Sequence, residues 1–158
     1  MQIKELMITE VKTCSPETNL AAATDLFWKY DCGILPVVEA EAVVGVITDR
    51  DVCIALGRRD IRASEITSGS VATRQVFTCS PEDDVKAALM QMRKGKVRRL
   101  PVIDQDRTLV GIISLDDIVT RANVGGTELS YSDLVDTYRA LCERRIAVRS
   151  AASEAPST

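Results

Sequence analysis

The chain has 158 residues, is 46% hydrophobic and only 4% aromatic, carries a formal charge of −3 and contains no histidine. Its length predicts one domain or two very small ones, with a core filled by Val, Ile, Leu and Ala rather than by rings. Without histidine there is no Ser-His-Asp or Cys-His nucleophile set and no imidazole metal ligand, and the net acidity argues against a broad nucleic-acid-binding face.

Read from the N-terminus, the chain repeats itself. Val11 and Thr13 begin a short extended stretch, which returns at Val76 and Thr78. Thr13-Cys14-Ser15-Pro16-Glu17 recurs 65 residues on as Thr78-Cys79-Ser80-Pro81-Glu82, and Ala22-Ala23 as Ala87-Ala88. Ser15 before Pro16, and Ser80 before Pro81, read as a helix N-cap followed by proline at the first helical position, with Asp83 placed to complete a capping pair. Leu20, Ala23, Leu26 and Phe27 then follow at helical spacing, as do Val85, Ala88, Leu89 and Met92.

A strand is predicted at Leu35–Val38 and its copy Leu100–Ile103, each joined by a charged loop to a second strand, Val43–Ile47 or Leu109–Ile113. A second helix is predicted after Thr48, carrying Val52, Ile54, Ala55 and Leu56, and after Ser114, carrying Ile118 and Val119. Each unit therefore reads β-α-β-β-α. Repeats that cannot bury their apolar faces alone are expected to pack on each other.

The expected boundaries are 2–57 for the first repeat, 58–75 for a linker, 76–124 for the second repeat, 130–148 for a C-terminal helix and 150–158 for a disordered tail. Gly57, Arg58-Arg59-Asp60 and Ser68-Gly69-Ser70 break the periodicity of the linker, and Ala63–Ile66 predicts one helical turn within it. In the C-terminal helix, Leu134, Val135, Tyr138, Leu141 and Cys142 lie on one spacing, capped by Ser130 or Ser132. The tail is too poor in apolar residues to fold alone.

No apolar run approaches the ~18 residues of a membrane span, and Met1-Gln2-Ile3-Lys4-Glu5 lacks the apolar stretch of a signal peptide. Five widely spaced cysteines with no CxxC pair read as reduced, buried thiols in a cytoplasmic protein.

Three segments carry a family resemblance: Gly45-Val46-Ile47-Thr48-Asp49-Arg50-Asp51-Val52, Val97-Arg98-Arg99-Leu100-Pro101-Val102-Ile103-Asp104 and Gly111-Ile112-Ile113-Ser114-Leu115-Asp116-Asp117-Ile118. Over about residues 2–122 the chain resembles tandem CBS-domain proteins (the Bateman module) of the small standalone prokaryotic type. The resemblance implies an α/β (α+β) fold in which two repeats pack with pseudo-two-fold symmetry, clefts between them that take AMP, ADP, ATP or S-adenosylmethionine, and a homodimer. It implies a regulatory sensor without catalysis or a required cofactor, acting on a protein target that the sequence does not name.

The resemblance also implies roles for residues. Asp51 and Asp117 would take the ribose hydroxyls, Thr48 and Ser114 the sugar or phosphate, and Arg98, Arg99 and Arg50 the phosphates. The chemistry is consistent: an ionised carboxylate offers two acceptors to a vicinal diol, a helix start offers free N–H groups to an anion, and a guanidinium offers a forked donor set to phosphate. Val11, Thr13, Val76, Thr78, Ile34 and Leu35 are candidates to line an adenine slot. No metal site is expected.

Thr48-x-x-Asp51 and Ser114-x-x-Asp117 read equally well as helix caps worth about 1 kcal/mol each, a role that coexists with ligand binding. Arg93, Lys94, Lys96, Arg98 and Arg99 read equally well as a solvated charge run. The first repeat has Gly33-Ile34 where the second has Arg98-Arg99, so at most one cleft is expected to bind a phosphorylated ligand tightly. The other functional readings are a dimerisation or protein-interaction module with empty clefts, and an S-adenosylmethionine binder.

Overall fold

The computed structural model describes residues 1–122 and 129–153, with side-chain surroundings through Glu143. The chain divides into two compact units. One comprises Thr9–Val76 with Ile103–Gly111, and the other comprises Met1–Ile8, Phe77–Val102 and the chain from Ile112 onward.

In the first unit the extended stretch is short. Cys14 pairs in parallel with Val37, its N–H donating to Pro36 O at 3.1 Å and its carbonyl accepting from Val38 N at 2.8 Å. Helix α1 spans Leu20–Tyr30 and is capped by Asn19, whose Oδ1 accepts from Ala22 N at 2.9 Å. Strand β1 (Ile34–Glu39) runs antiparallel to β2 (Ala42–Thr48), with Leu35 opposite Ile47. Ala40 and Glu41 join the strands at φ 47° and 68°, the left-handed values that a two-residue hairpin loop requires. Helix α2 follows directly, from Asp49 to Arg58.

The core of this unit is the stripe Leu20, Ala23 and Phe27 of α1 against Leu35 and Val37 of β1, Ile47 of β2 and Val52 and Ala55 of α2. Each fully buried Leu or Ile here contributes about 1.5–3 kcal/mol of transfer free energy. Ile54 and Leu56, grouped with Val52 and Ala55 in the sequence reading, are exposed instead.

Segment 58–75, expected as a linker, belongs to this unit. It holds one 3-10 turn at Ala63–Glu65, where a turn was predicted, and another at Ser68–Ser70, and Ile66 is buried in the core. Thr73 pairs antiparallel with Val46, with N–H···O bonds of 3.0 and 2.9 Å. Gly45 permits that approach: a Cβ there would meet Ala72 Cβ at 3.1 Å and Thr73 O at 3.3 Å.

The second unit repeats the plan. Cys79 pairs in parallel with Val102; α3 (Val85–Gly95) is capped by Asp84; β3 (Arg99–Ile103) and β4 (Leu109–Ser114) form a two-stranded sheet; and α4 (Leu115–Arg121) follows. Here Ile8 takes the place that Thr73 holds in the first unit, pairing with Ile112. The 3-10 turn Ile3–Glu5 docks beside it, with Ile3 N donating to Asp83 O at 2.9 Å and the Ile3 side chain fully buried.

Both first helices start four residues later than the Ser-Pro signals suggested. Thr18 N donates to Ser15 O at 3.1 Å and Asp83 N to Ser80 O at 3.2 Å, so each Ser-Pro closes a turn. Asn19 and Asp84 then provide the side-chain acceptor that a helix start needs.

Helix α5 spans Tyr131–Ser153 and packs against α3. Ser130 caps it together with Asp133: Ser130 Oγ donates to Asp133 Oδ2 at 2.7 Å, and Asp133 N donates to Ser130 Oγ at 3.3 Å. The helix runs beyond the expected end at 148 and includes 150–153 of the expected disordered tail; 154–158, and the Gly125-Gly126 break before the helix, lie outside the described residues. Leu129, Thr137 and Leu141 are buried, whereas Val135 and Tyr138, read on the same stripe, are exposed. The cysteines do not form one class either: Cys14 and Cys79 are buried, Cys32 and Cys142 half-buried and Cys53 exposed, all of them free thiols. Among the described residues no helix is long and apolar enough to cross a membrane.

Candidate ligand-binding site

Thr48 and Ser114 each end a strand and begin a helix. The last residue of β2 is extended (φ −117°, ψ 161°) while α2 starts at the next residue, which leaves the Thr48 hydroxyl over the first turn. Asp51 N donates to Thr48 Oγ1 at 3.2 Å. In return, Thr48 N and Oγ1 donate to Asp51 Oδ2 at 2.9 and 2.6 Å. Ser114 and Asp117 reproduce the arrangement, with Asp117 N donating to Ser114 Oγ at 3.0 Å, and Ser114 N at 3.0 Å and Oγ both donating to Asp117 Oδ2. The capping reading is therefore correct for both copies.

The second carboxylate oxygens differ. Asp51 Oδ1 has no partner among the described residues. Asp117 Oδ1 lies 3.8 Å from Arg121 Nη2, and Arg121 Nη1 also donates to Leu6 O at 3.3 Å. Among the described residues, one motif carboxylate keeps an unpaired oxygen and the other is approached by a cation one helical turn later. The i, i+4 spacing of Asp117 and Arg121 was legible in the sequence and was missed; Ala55 stands at the equivalent position after Asp51.

Asp51 lies at one end of an open groove of about 450 Å³, lined also by Ile54, Ala55, Arg58, Arg59, Ser70 and Val71. That volume falls in the range of small-molecule sites. Residues 51, 54/55 and 58 share one face of α2, and Ser70 and Val71, from the segment that pairs back onto β2, complete the lining. The sequence reading missed Arg58, Arg59 and Ser70 as groove residues because it treated them as linker.

The arginines expected at phosphates are distributed as follows. Arg50 is exposed on the first turn of α2, in the same unit as Thr48 and Asp51. Arg98 and Arg99 fall in the other unit with Ser114 and Asp117. Leu115 N donates to Arg98 O at 2.9 Å, which brings that backbone to the start of α4. The Arg98 guanidinium sits over the Tyr138 ring of α5, 5.5 Å from its centroid. Arg99 is half-buried at the start of β3, with no ion pair among the described residues. Leu35, a candidate for an adenine slot, is fully buried in the core and is not available to a ligand. Among the described residues no group of three His, Cys, Asp or Glu is placed to hold a metal ion.

Fold and site together define a tandem-repeat α/β protein with a carboxylate-bearing capping box at the start of each second helix. The CBS domain family matches residues 3–58 and 68–123, and the chain belongs to that family. The CBS domain-containing protein YhcV of Bacillus subtilis is 31% identical over 116 residues, covering 73% of this chain and 81% of YhcV. Inosine-5'-monophosphate dehydrogenase of Methanocaldococcus jannaschii is 36% identical over 118 residues, but the match spans only 23% of that enzyme. Among solved structures, the CBS domain pair of protein MJ0100, in complex with 5'-methylthioadenosine and S-adenosyl-L-methionine, aligns with a TM-score of 0.66 and 26% identity, over 75% of this chain and 93% of that one.

Proposed function

We propose that this protein is a regulatory sensor of an adenosine nucleotide (AMP, ADP or ATP) and performs no catalysis of its own. The observation that carries this reading is the Asp51 carboxylate: Thr48 holds one oxygen in place, the other has no partner among the described residues, and Asp51 lines an open groove of about 450 Å³. A carboxylate already oriented by its capping box accepts hydroxyl donors from a ribose without first losing rotamer freedom. The adenosine-derived ligands of MJ0100 support the ligand class.

Asp51 is the preferred ribose acceptor, with Thr48 as its positioning residue. Ser114 and Asp117 form the weaker counterpart, because Arg121 competes for the same carboxylate. Arg50, Arg98 and Arg99 are the cations that the family resemblance offers to phosphate. The protein acts as a cytoplasmic homodimer, and bound nucleotide changes its affinity for a protein target, which requires that the ligand bind two states unequally.

Isothermal titration of the full chain with adenosine, AMP, ADP, ATP and S-adenosylmethionine tests the reading. Binding of a nucleotide that Asp51→Asn weakens at least tenfold supports it; heat from none of the five ligands refutes it. S-adenosylmethionine is the second reading, favoured by the MJ0100 complex, and tighter binding of that sulfonium than of any nucleotide would select it.

A further inference from the structure

The groove beside Asp51 has a second charged end. Arg58 occupies the last turn of α2 on the same face as Asp51 and Ala55, and Arg59 follows it. Asp51 and Arg58 are seven positions apart on the α-helix, a rise of about 10 Å. One end of the groove is therefore acidic, the other carries two guanidinia, and the apolar surface of Ile54, Ala55 and Val71 lies within the same lining.

No carboxylate of the described residues lies within ion-pair distance of Arg58 or Arg59. Arg59 is nonetheless held: Nη1 donates to Ser70 Oγ at 3.3 Å, and Ser70 Oγ donates to Thr67 O at 2.8 Å. This chain of bonds restrains the guanidinium and reduces the rotamer entropy lost when an anion binds.

The geometry points to Arg58 and Arg59 as the phosphate-recognition end of the site, so that the groove takes a nucleoside polyphosphate lengthwise, its sugar at Asp51 and its terminal phosphates at the C-terminal end of α2. The assignment rests on the nucleotide reading above and differs from it in placing the phosphate on residues of α2 and its flank rather than on Arg98 and Arg99.

Polarity sharpens the inference. The C-terminal end of a helix carries the negative end of the macrodipole and repels an anion. Phosphate recognition there depends wholly on the two side chains, so their removal leaves an unfavourable site rather than a weaker one. The ~10 Å span also favours two or three phosphates over one.

The test titrates the full chain with ATP, AMP and adenosine, in wild type, in Arg58→Gln/Arg59→Gln and in Arg98→Gln/Arg99→Gln. ATP is expected to bind wild type more tightly than AMP. The Arg58→Gln/Arg59→Gln variant is expected to lose at least tenfold in ATP affinity while its adenosine affinity stays within threefold. The Arg98→Gln/Arg99→Gln variant should keep its ATP affinity within threefold. A tenfold loss of ATP affinity in Arg98→Gln/Arg99→Gln, with none in Arg58→Gln/Arg59→Gln, would place the phosphates on the arginines before β3 and overturn the assignment. Ser70→Ala, which frees Arg59 without removing charge, should weaken ATP by a smaller factor, about two- to fivefold, since only preorganisation is lost. Nucleotide binding that ignores Arg58→Gln/Arg59→Gln overturns this assignment and leaves the sensor reading standing. If wild type binds none of the three ligands, both fail together. Thermal unfolding of each variant, run alongside, separates lost affinity from lost fold.

Discussion

Arg121 Nη2 lies 3.8 Å from Asp117 Oδ1, while the residue at the matching place in the first repeat is Ala55. The two capping boxes are alike, yet one carboxylate is paired across a helical turn and the other is open. The duplication therefore produced two capping boxes with unequal surroundings from one pattern.

The first prediction separates the two aspartates. Asp51→Asn keeps a side-chain acceptor for the cap but removes the charge, and should cost at least tenfold in nucleotide affinity by titration calorimetry. Asp117→Asn should change that affinity less than threefold. Arg121→Gln should cost about 1 kcal/mol in urea unfolding, because it removes both the i, i+4 pair to Asp117 and the hydrogen bond to Leu6 O.

A second prediction concerns the segment that closes the first unit. Gly45→Ala places a methyl 3.1 Å from Ala72 Cβ and 3.3 Å from Thr73 O. Overpacking of this kind costs about 1–3 kcal/mol. We expect a lower urea midpoint and faster amide exchange at Thr73 and Val46; unchanged exchange there would mean that the pairing does not hold the segment.

Acid should act on the cap of α5. Hydrogen bonds from the Ser130 hydroxyl and backbone N–H lower the Asp133 carboxyl below its ordinary value of 3.8, aided by nearby Lys86 and Arg93. A carboxylate depressed in the folded state stabilises above its unfolded pKa and loses that contribution as pH falls through the folded one. The wild-type helix should therefore loosen from α3 only below about pH 4. Asp133→Asn should remove this acid step, read by circular dichroism between pH 2 and 6.

Alkali should act on the buried thiols. Burial, with Asp83 nearby, pushes the Cys79 thiol up to about 12, and burial also raises Cys14 from 9.0. For groups raised in the folded state, stability is intact below the unfolded pKa and falls as pH climbs from about 9 toward the folded value. At pH 8 a thiol reagent should label exposed Cys53 quickly, with Cys14 and Cys79 reacting only after unfolding. Rapid labelling of Cys79 in the native protein would contradict its burial.

Much of this architecture is legible in the sequence. The repeat placed the equivalent helices and hairpins, and the stripes Leu20/Ala23/Phe27 and Val85/Ala88/Leu89/Met92 marked the faces that α1 and α3 bury. Thr48-x-x-Asp51 and Ser114-x-x-Asp117 were readable as caps. Two local readings went astray for a local reason: Ser15-Pro16 and Ser80-Pro81 carry the residues of a helix start but close a turn, and Asn19 and Asp84 cap the helices instead.

The sequence by itself determined the duplicated plan and both capping boxes, because those bonds join residues three apart and need only the right side chain at the right spacing. Only the tertiary structure decided that Met1–Ile8 packs with the second repeat and Ala63–Val76 with the first, and that Ser70 and Arg59 form a wall of the groove reached by Asp51. The exposed edges of β2 and β4 would each accept a passing strand. Which segment pairs with each edge depends on the simultaneous burial of Ile3 or Ile66, a choice made by packing across the whole unit.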